Sequence, residues 1–368
     1  MKMDTNMQNT PKITKESKNK IRVEFDRTPL KERMKAKFLN MYFFTQIAWK
    51  IFRLVLLVGI SYIVLFPFIS KIAGSFMSPE DFVDVTVRLI PKNFTLDIYK
   101  GVLFELKYWE AFRNTFLISL LGGLLQTFVC CLVGYGLAKF RFKGNTLVML
   151  LVVLTMIVPH GTLQLSMFMG FRYFDILGIL SFLSGGASIG FMPESFNELL
   201  AGIKIIDLAD HALPLTNTYA PLLILSATGL AFKNGLYIFM LRQFFTGVPD
   251  ALEESAYIDG SGVFRTFFTI ILPLSIPMMV TVFLFAFCWQ WTDDFYTELF
   301  FTTSKITLMP DIVEIPTSLK TDYAGQNMYY TAIRNTCGIC IIAPLVILYC
   351  FGQNFLVQGI ERSGLTAE

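Results

Sequence analysis

Six apolar stretches, each long enough to cross a membrane as a helix, constrain the fold of this 368-residue chain more than any other feature. A helix needs about 20 apolar residues to span a hydrocarbon core of roughly 30 Å. Only 16% of the residues are charged, against roughly 25% in soluble domains. The sequence therefore predicts an all-α integral membrane protein with six transmembrane helices. The predicted spans run from Lys50 to Ser70, Thr115 to Leu137, Thr146 to Gly170, Asn217 to Met240, Leu274 to Phe295 and Ala332 to Asn354.

The distribution of Lys and Arg predicts the orientation of these spans. With the N-terminus inside, 19 basic residues fall on inner segments and ten on the outer loops, which are longer than the inner loops. Basic residues concentrate on the cytoplasmic side of membrane proteins. Both termini are therefore predicted to be cytoplasmic, and the compact cluster of Lys139, Arg141 and Lys143 is the strongest local indication.

The predicted segments follow from the spans. The first 49 residues hold 11 Lys or Arg and suit a mobile polar arm better than a folded domain. A short amphipathic helix is expected near Glu194 to Ile206. The segments are a basic cytoplasmic arm at 1–49, the first span at 50–70, an outer loop at 71–114, a five-helix core at 115–360 with an outer insertion at about 179–214 and a cytoplasmic loop at 247–273, and a cytoplasmic tail at 361–368.

Metal and enzyme chemistry find little support in the sequence. All six cysteines lie in apolar runs, and the C-x-x-C of Cys337 and Cys340 lacks further ligands. The only histidines, His160 and His211, form no combination with a nucleophile and an orienting group, so no catalytic residue and no metal site are predicted. His160 follows Pro159, which favours a kinked helix with a structural imidazole. No phosphate-binding G-x-x-x-x-G-K-[ST] loop is present, so any ATPase must be a separate chain.

The stretch between the fourth and fifth spans, GVPDALEESAYIDGSGVFRTFFTIILPLSIP, indicates two short helices separated by glycines. Asp250 and Glu253 suit the first turn of one helix, because carboxylates are stabilised at its positive end. Gly260 and Gly262 are expected to end that helix and to allow close backbone approach. Such a projecting pair can enter a groove on a partner, or it can lie in the lipid interface as an amphipathic connector.

The second short helix is expected to carry an apolar face before it turns into the membrane. The turn is assigned to Pro273 and Pro277. The residues expected on one face are Phe264, Phe267, Phe268 and Ile271.

This stretch resembles the cytoplasmic signature loop of ABC importer permeases, E-A-A-x3-G-x9-I-x-L-P. Every spacing is met, and Ser255 in place of the second small residue is the only departure. The matching residues are Glu254, Ser255, Ala256, Gly260, Ile270, Leu272 and Pro273. With Asp250, Glu253 and Asp259, they form the predicted ATPase-coupling loop.

Neighbouring segments resemble the maltose-type carbohydrate uptake class of these permeases. They are FMLRQFFTGVP from Phe239, LAKFRFKG from Leu137 and WQWTDDFYTELFF from Trp289. Two features depart from the class, namely roughly thirty extra residues after Gly178 and the lysine at position 233. A lysine at that depth is costly unless it faces a polar cavity or reaches the interface.

The resemblance implies a type I ABC importer permease fold in a bacterial plasma membrane. It also implies the partners: a second related permease, an ABC ATPase dimer that binds ATP and Mg, an extracytoplasmic solute-binding protein and a carbohydrate substrate. Membrane lipid surrounds the chain, no nucleic acid is expected to bind, and no cofactor is expected in this chain itself.

Polar residues within spans are the substrate-path candidates, because lipid-facing polar groups are penalised. Aromatic rings stack on the apolar faces of sugars, while carboxylates and amides bind their hydroxyls. An aromatic belt at the membrane interface explains the tryptophans equally well. The candidates are Gln126, Lys233, Asn234, Trp289, Gln290, Trp291, Asp293 and Asp294.

Three alternative functions stay open at this point. An ion-coupled secondary transporter or channel would need ionisable groups within the spans, and these are few. A permease for a non-sugar solute has the same general pattern. A membrane anchoring protein would use the stretch from Gly247 to Pro277 only for docking.

Overall fold

A computed structural model describes residues 13–16, 20–23, 41–175, 212–303, 306–322 and 325–365. The chain forms two units, Met1–Ser70 and Lys71–Glu368. The helix expected near Glu194 to Ile206 lies outside the described residues, as does most of the expected insertion at 179–214.

The first unit contains a short hairpin and most of a long apolar helix. Strand β1, Ile13–Glu16, pairs antiparallel with β2, Lys20–Val23. The arm, expected to be a polar tail without folded structure, therefore contains a strand pair, and the fold is mostly rather than entirely helical. Helix α1, Met41–Gly74, starts nine residues before the predicted span, and its apolar side chains are exposed, as lipid contact requires.

Short elements fill the segment between α1 and the next long helix. They are a 3-10 turn at Pro79–Phe82, helix α2 at Asp97–Lys100 and a π turn at Gly101–Glu105. The buried Asp81 carboxylate accepts hydrogen bonds from the backbone N–H groups of Lys92 and Asn93, both at 3.0 Å. Because these donors satisfy the buried charge, they fix the path of the segment.

Ten further helices follow in the described part of the second unit. They are α3 (Tyr108–Lys139), α4 (Asn145–Ile157), α5 (Gln164–Arg172), α6 (Ala220–Thr228), α7 (Asn234–Thr246), α8 (Ala251–Ile258), α9 (Val263–Thr266), α10 (Leu272–Trp291), α11 (Phe295–Phe300) and α12 (Gln326–Leu365). A π turn at Phe267–Ile271 joins α9 to α10. Short 3-10 turns lie at His160–Leu163, Pro310–Ile312 and Thr317–Leu319.

Four helices in the described residues are long and apolar enough to cross a membrane, and they coincide with the first, second, fifth and sixth predicted spans. They are α1, α3, the continuous helix Val263–Trp291 and α12. In the third predicted span, α4 and the helical run His160–Arg172 are bent by 95° at Val158 and Pro159. This pair counts as a fifth span only if the bend lies within one crossing.

The fourth predicted span, Asn217 to Met240, is not one helix. It is divided into α6 and α7, because Gly229 (φ 75°) and Lys233 (φ 68°) both adopt left-handed backbone that an α-helix cannot contain. Neither piece reaches spanning length, so the count of six spans stays a prediction.

Helix α3 is the centre of the second unit, where it packs against α6, α7 and α10. Gly134 allows the closest of these approaches, since a Cβ there would lie 3.0 Å from Leu241 Cβ and 3.1 Å from the Arg242 backbone nitrogen. A larger residue would separate α3 from α7.

Candidate functional site

The breaks in the third and fourth predicted spans lie side by side. Gly235, in the first turn of α7, packs so closely on α4 that a Cβ there would lie 2.6 Å from Thr155 Oγ1 and 2.9 Å from the Val152 carbonyl oxygen. Between the breaks is a cavity of about 740 Å³. Its lining is mainly apolar, and its polar side chains include His160, Lys233 and Asn234. Most small-molecule sites have this composition, an apolar wall with a few polar groups.

Lys233 lies among aromatic rings at the break. Its ammonium nitrogen is 4.5 Å from the centre of the Phe232 ring and 4.9 Å from the centre of the Trp289 ring. The Phe232 ring in turn lies 4.8 Å from His160 and 5.5 Å from Trp289. Such cation–π contacts are worth roughly 0.5–2 kcal/mol, so they hold the lysine only in part.

Helix α3 supports the same break from the other side. The Gln126 side chain donates a hydrogen bond of 2.8 Å to the Phe232 carbonyl oxygen, an acceptor that the interrupted helix leaves free. A small second pocket beside it is lined by Gln126, Trp289, Gln290, Asp293 and Tyr296, among others. The Asp293 carboxylate accepts a hydrogen bond of 3.0 Å from the backbone N–H of Tyr296, which fixes the start of α11.

The structure therefore brings together most of the predicted substrate-path residues. Two of the eight lie elsewhere. Trp291 is fully buried, donates a hydrogen bond of 3.0 Å to the Ile341 carbonyl oxygen and stacks on Phe287, so it is a packing residue. Asp294 is exposed and lines neither pocket. The six around the break are Gln126, Lys233, Asn234, Trp289, Gln290 and Asp293.

Helical geometry explains why Trp289 and Trp291 differ. Residues two positions apart on an α-helix are rotated by about 200° around its axis, so the two indoles point in nearly opposite directions. Sequence reasoning missed Phe232 and Tyr296 and assigned His160 a structural role. The sequence offered one signal for these three residues: each lies close in the chain to a residue that had been singled out, namely Lys233, Asp293 and Pro159 respectively.

The loop between α7 and α10 has the first expected short helix, α8. The second was predicted to be separate and to turn at Pro273 and Pro277, which is wrong, because α9 continues through the π turn into α10 as one helix, Val263–Trp291. Gly260 (φ 80°) ends α8 in left-handed backbone, and the Ser261 N–H donates to the Ala256 carbonyl oxygen at 2.9 Å. The expected single apolar face of the second helix is wrong. Phe264 and Phe268 are exposed, whereas Phe267 and Ile271 are buried in the core. Positions four apart share a face, and the π turn at this point separates the two pairs.

The loop projects apolar side chains that nothing in the described chain covers. Ile258 is 86% exposed and Phe264 is 81% exposed. We call the exposed apolar side chains of this loop the loop patch. Its members are Leu252, Tyr257, Ile258, Val263, Phe264 and Phe268. Exposed apolar clusters of this kind mark contacts with a protein or with lipid.

Polar contacts of one lysine attach the start of α8 to the end of α3. The nearly buried Lys139 ammonium donates to the Val248 carbonyl oxygen and to the Asp250 carboxylate, both at 2.6 Å. Its hydrogen bond holds the pKa of the Asp250 carboxyl below the ordinary value. The contact is therefore formed above the ordinary carboxyl pKa and weakens as the pH falls through the lowered value. Asp250 makes this bond instead of the expected cap of its own helix.

A second polar pair lies one helical turn away. Glu253 is buried near Tyr135 of α3, four residues before Lys139, but neither Glu253 Oε1 nor the Tyr135 hydroxyl has a hydrogen-bond partner in the described chain. The other loop residues singled out from the sequence divide by helix. In α8 and just after it, Glu254 is exposed and Ala256 is buried, while the Ser255 hydroxyl donates to the Leu252 carbonyl oxygen and the Asp259 N–H to the Ser255 carbonyl oxygen. Further along, Ile270 and Leu272 are half-buried against the core, and Pro273 is exposed in the first turn of α10.

Long apolar helices, two interrupted segments around a cavity and a separate projecting loop define a membrane transport protein. The chain belongs to the family of binding-protein-dependent transport system inner membrane components, which matches residues 131–362, more than half of the chain. The family expected from the signature loop is thereby confirmed.

Individual relatives agree with this family. The chain is 22% identical over 308 residues to the inner membrane ABC transporter permease protein YcjP of Escherichia coli (strain K12), covering 82% of this chain and 91% of the relative. It is 26% identical over 301 residues to the polygalacturonan/rhamnogalacturonan transport system permease protein YtcP of Bacillus subtilis (strain 168), covering 80% and 89%.

A solved structure shares the fold. One chain in the crystal structure of a bacterial ABC transporter involved in the import of the acidic polysaccharide alginate matches with a TM-score of 0.58 and 18% identity. The match covers 84% of this chain and 97% of that one. The shared architecture is therefore that of an ABC importer permease.

Proposed function

We propose that this chain is the permease subunit of an ATP-driven importer that moves a carbohydrate across a bacterial plasma membrane. The observation that carries the proposal is the pair of neighbouring pockets at the two side-by-side breaks. Asn234 lines the larger cavity, and the half-exposed Trp289 lines the smaller pocket together with the amides of Gln126 and Gln290. An aromatic face and amide groups suit the apolar face and the hydroxyls of a sugar. Interrupted helices at a cavity also recur in transporters, because irregular backbone is tolerated there. Similar permeases named for polygalacturonan and arabinooligosaccharide transport support the substrate class.

The rest of the assembly belongs to the same proposal. The chain crosses the membrane six times, α6 and α7 together form the fourth span, and both termini are cytoplasmic. It pairs with a second permease and receives substrate from an extracytoplasmic binding protein. Two ATPase subunits, which bind ATP and Mg, dock on the loop at 247–273, where the uncovered loop patch offers them an apolar surface. ATP can shift the assembly between its inward-facing and outward-facing states only because ATP binds these two states with different affinity.

Uptake by the reconstituted assembly tests this function. The chain, its second permease and the ATPase are placed in lipid vesicles, and radiolabelled oligosaccharides are offered with the binding protein. Accumulation that requires both ATP and the binding protein is the expected result. Accumulation driven by an ion gradient without ATP would instead identify a secondary transporter, and uptake of a non-sugar solute alone would correct the substrate class.

The proposed orientation predicts which positions a membrane-impermeant thiol reagent reaches. Because the basic residues favour the assigned inner segments by 19 to ten, Ser188→Cys should be labelled in intact cells and Ser17→Cys should not. Ser17→Cys should become reactive once the cells are opened, which serves as its control. Labelling of Ser17→Cys in intact cells would reverse the orientation.

The pair Trp289 and Trp291 separates a transport role from a packing role. Trp289→Ala should reduce uptake at least tenfold with little change in the amount of assembled complex, because Trp289 is 49% exposed and lines the smaller pocket at the break. Trp291→Ala should mainly reduce the amount of folded complex, since burial makes Trp→Ala cost about 3–5 kcal/mol. Uptake normalised to purified complex distinguishes the two. Wild-type uptake by Trp289→Ala would remove this residue from the substrate path.

A further inference from the structure

The break between α6 and α7 carries a positive charge that no described residue neutralises. Lys233 is in no ion pair within the described residues, where the ion pairs join Lys92 to Asp84, Lys100 to Asp97 and Lys139 to Asp250. A lysine within the hydrocarbon core is costly to insert unless it has a partner. The cation–π contacts with Phe232 and Trp289 offset only part of that cost. The Lys233 ammonium is therefore a cation that an arriving anion would stabilise.

The break between α6 and α7 is also the N-terminus of a helix. Helix α7 has 13 residues and begins at Asn234, so its backbone dipoles add the equivalent of about half a positive charge at the cavity. The backbone N–H groups of Gly235 and Leu236 have no acceptor within the described residues, and both residues line the cavity. Unpaired N–H groups at a helix start are donors that carboxylates and phosphates accept readily.

A third group at the break lacks a partner. The Asn234 side chain is 2% exposed, yet neither its amide nitrogen nor its oxygen makes a hydrogen bond in the described chain. A buried polar group without a hydrogen-bond partner destabilises the fold. Asn234 lines the same cavity, so a ligand that opens the break can supply the missing partner.

We propose that the break at Lys233 binds a carboxylate, and that the substrate is therefore an acidic oligosaccharide built from uronic acid residues. This inference rests on the proposed carbohydrate import. A sugar ring stacked on the exposed face of Trp289 would bring its own carboxylate towards the Lys233 ammonium, because that ammonium lies against the same indole. The Asn234 amide and the free N–H groups at the start of α7 then hydrogen-bond to the carboxylate oxygens.

A matched pair of substrates tests the charge directly. The complete importer in vesicles is offered trigalacturonate or the neutral trisaccharide galactotriose, each with ATP and the binding protein. The variants are Lys233→Gln, which removes the charge, and Lys233→Arg, which keeps it. Lys320→Gln is the control, because Lys320 is exposed and lines neither pocket.

Uptake of trigalacturonate by the wild type, a loss of at least tenfold in Lys233→Gln, and retention in Lys233→Arg and Lys320→Gln are the expected results. Import of galactotriose but not of trigalacturonate would overturn this inference and leave carbohydrate import standing. An equal loss of both sugars in Lys233→Gln would also overturn it and would point to a carboxylate of the second permease as the lysine's partner. Import of neither sugar would overturn this inference, and uptake of the other oligosaccharides would then decide whether carbohydrate import stands.

Discussion

Substituting Gly260 with aspartate should abolish ATP-driven uptake while leaving the protein in the membrane. Gly260 has a φ of 80°, and a Cβ at this position would meet nothing within 4 Å of this chain. Any steric effect of a small side chain must therefore come from a partner, in addition to the strain of left-handed backbone. A charged side chain would also be desolvated in the partner's groove. The expected loss is more than tenfold in uptake and in substrate-stimulated ATP hydrolysis.

Two further variants separate backbone strain from a blocked partner. Gly260→Asn retains a left-handed backbone at low cost, because asparagine adopts this conformation more readily than most residues, yet it adds a side chain. If a partner approaches the loop closely, Gly260→Asn should lose uptake as Gly260→Asp does. Gly144→Asn is the matched control, since Gly144 also has a left-handed φ, of 101°, and open space around its Cβ position but lies outside the loop at 247–273.

Co-purification of the ATPase with each variant, measured beside uptake, completes the experiment. Glu254→Ala should act in the same direction but more weakly, through loss of one charge-assisted contact. A loop that only lies on lipid would tolerate Gly260→Asn with full transport. That outcome would remove the coupling role of the loop.

The second large effect is expected at Gly235, where adding one methyl group should prevent α4 and α7 from packing. The new Cβ would lie 2.6 Å from Thr155 Oγ1, 2.8 Å from Met156 Cγ and 2.9 Å from a backbone oxygen. Overpacking typically costs about 1–3 kcal/mol, and backbone cannot move aside as a flexible side chain does. Gly235→Ala should therefore lower the melting temperature of the purified complex by several degrees and widen the cavity.

Gly338→Ala in α12 is the control for this substitution. Nothing lies within 4 Å of the position that its Cβ would take, and alanine favours helix by roughly 0.5–1 kcal/mol over glycine. Its melting temperature should equal or exceed that of the wild type. A Gly235→Ala protein as stable as the wild type would show that the two breaks do not depend on this contact.

The apolar pattern predicts the long helices, because a helix in lipid needs little more than about 20 apolar residues. It does not predict where such a helix is interrupted. The stretch around Gly229 and Lys233 is apolar enough to read as one span, yet both residues adopt left-handed backbone. A single glycine is tolerated within a helix, and hydropathy carries no information on the sign of φ.

The residue types of the site were predictable from the sequence, but the directions in which their side chains point were not. Trp289 and Trp291 look equivalent in the sequence, and only the rotation of α10 against its neighbours exposes one and buries the other. Contacts between segments that are far apart in the sequence could likewise not be predicted from it. Asp250 suits a helix cap by local pattern, whereas the folded chain gives it a lysine 111 positions earlier in the sequence.

Helix α3 contacts both candidate regions, the break beside the cavity and the loop at 247–273, along one unbroken length. Gln126 bonds to the carbonyl at the break, and Lys139 bonds to the loop that precedes α8. Thirteen residues separate them, which is about 20 Å along a helix that rises about 1.5 Å per residue. The helix is therefore a continuous connection between the loop and the cavity. We expect a displacement of its loop end to reach the backbone at Phe232 through the hydrogen bond from Gln126.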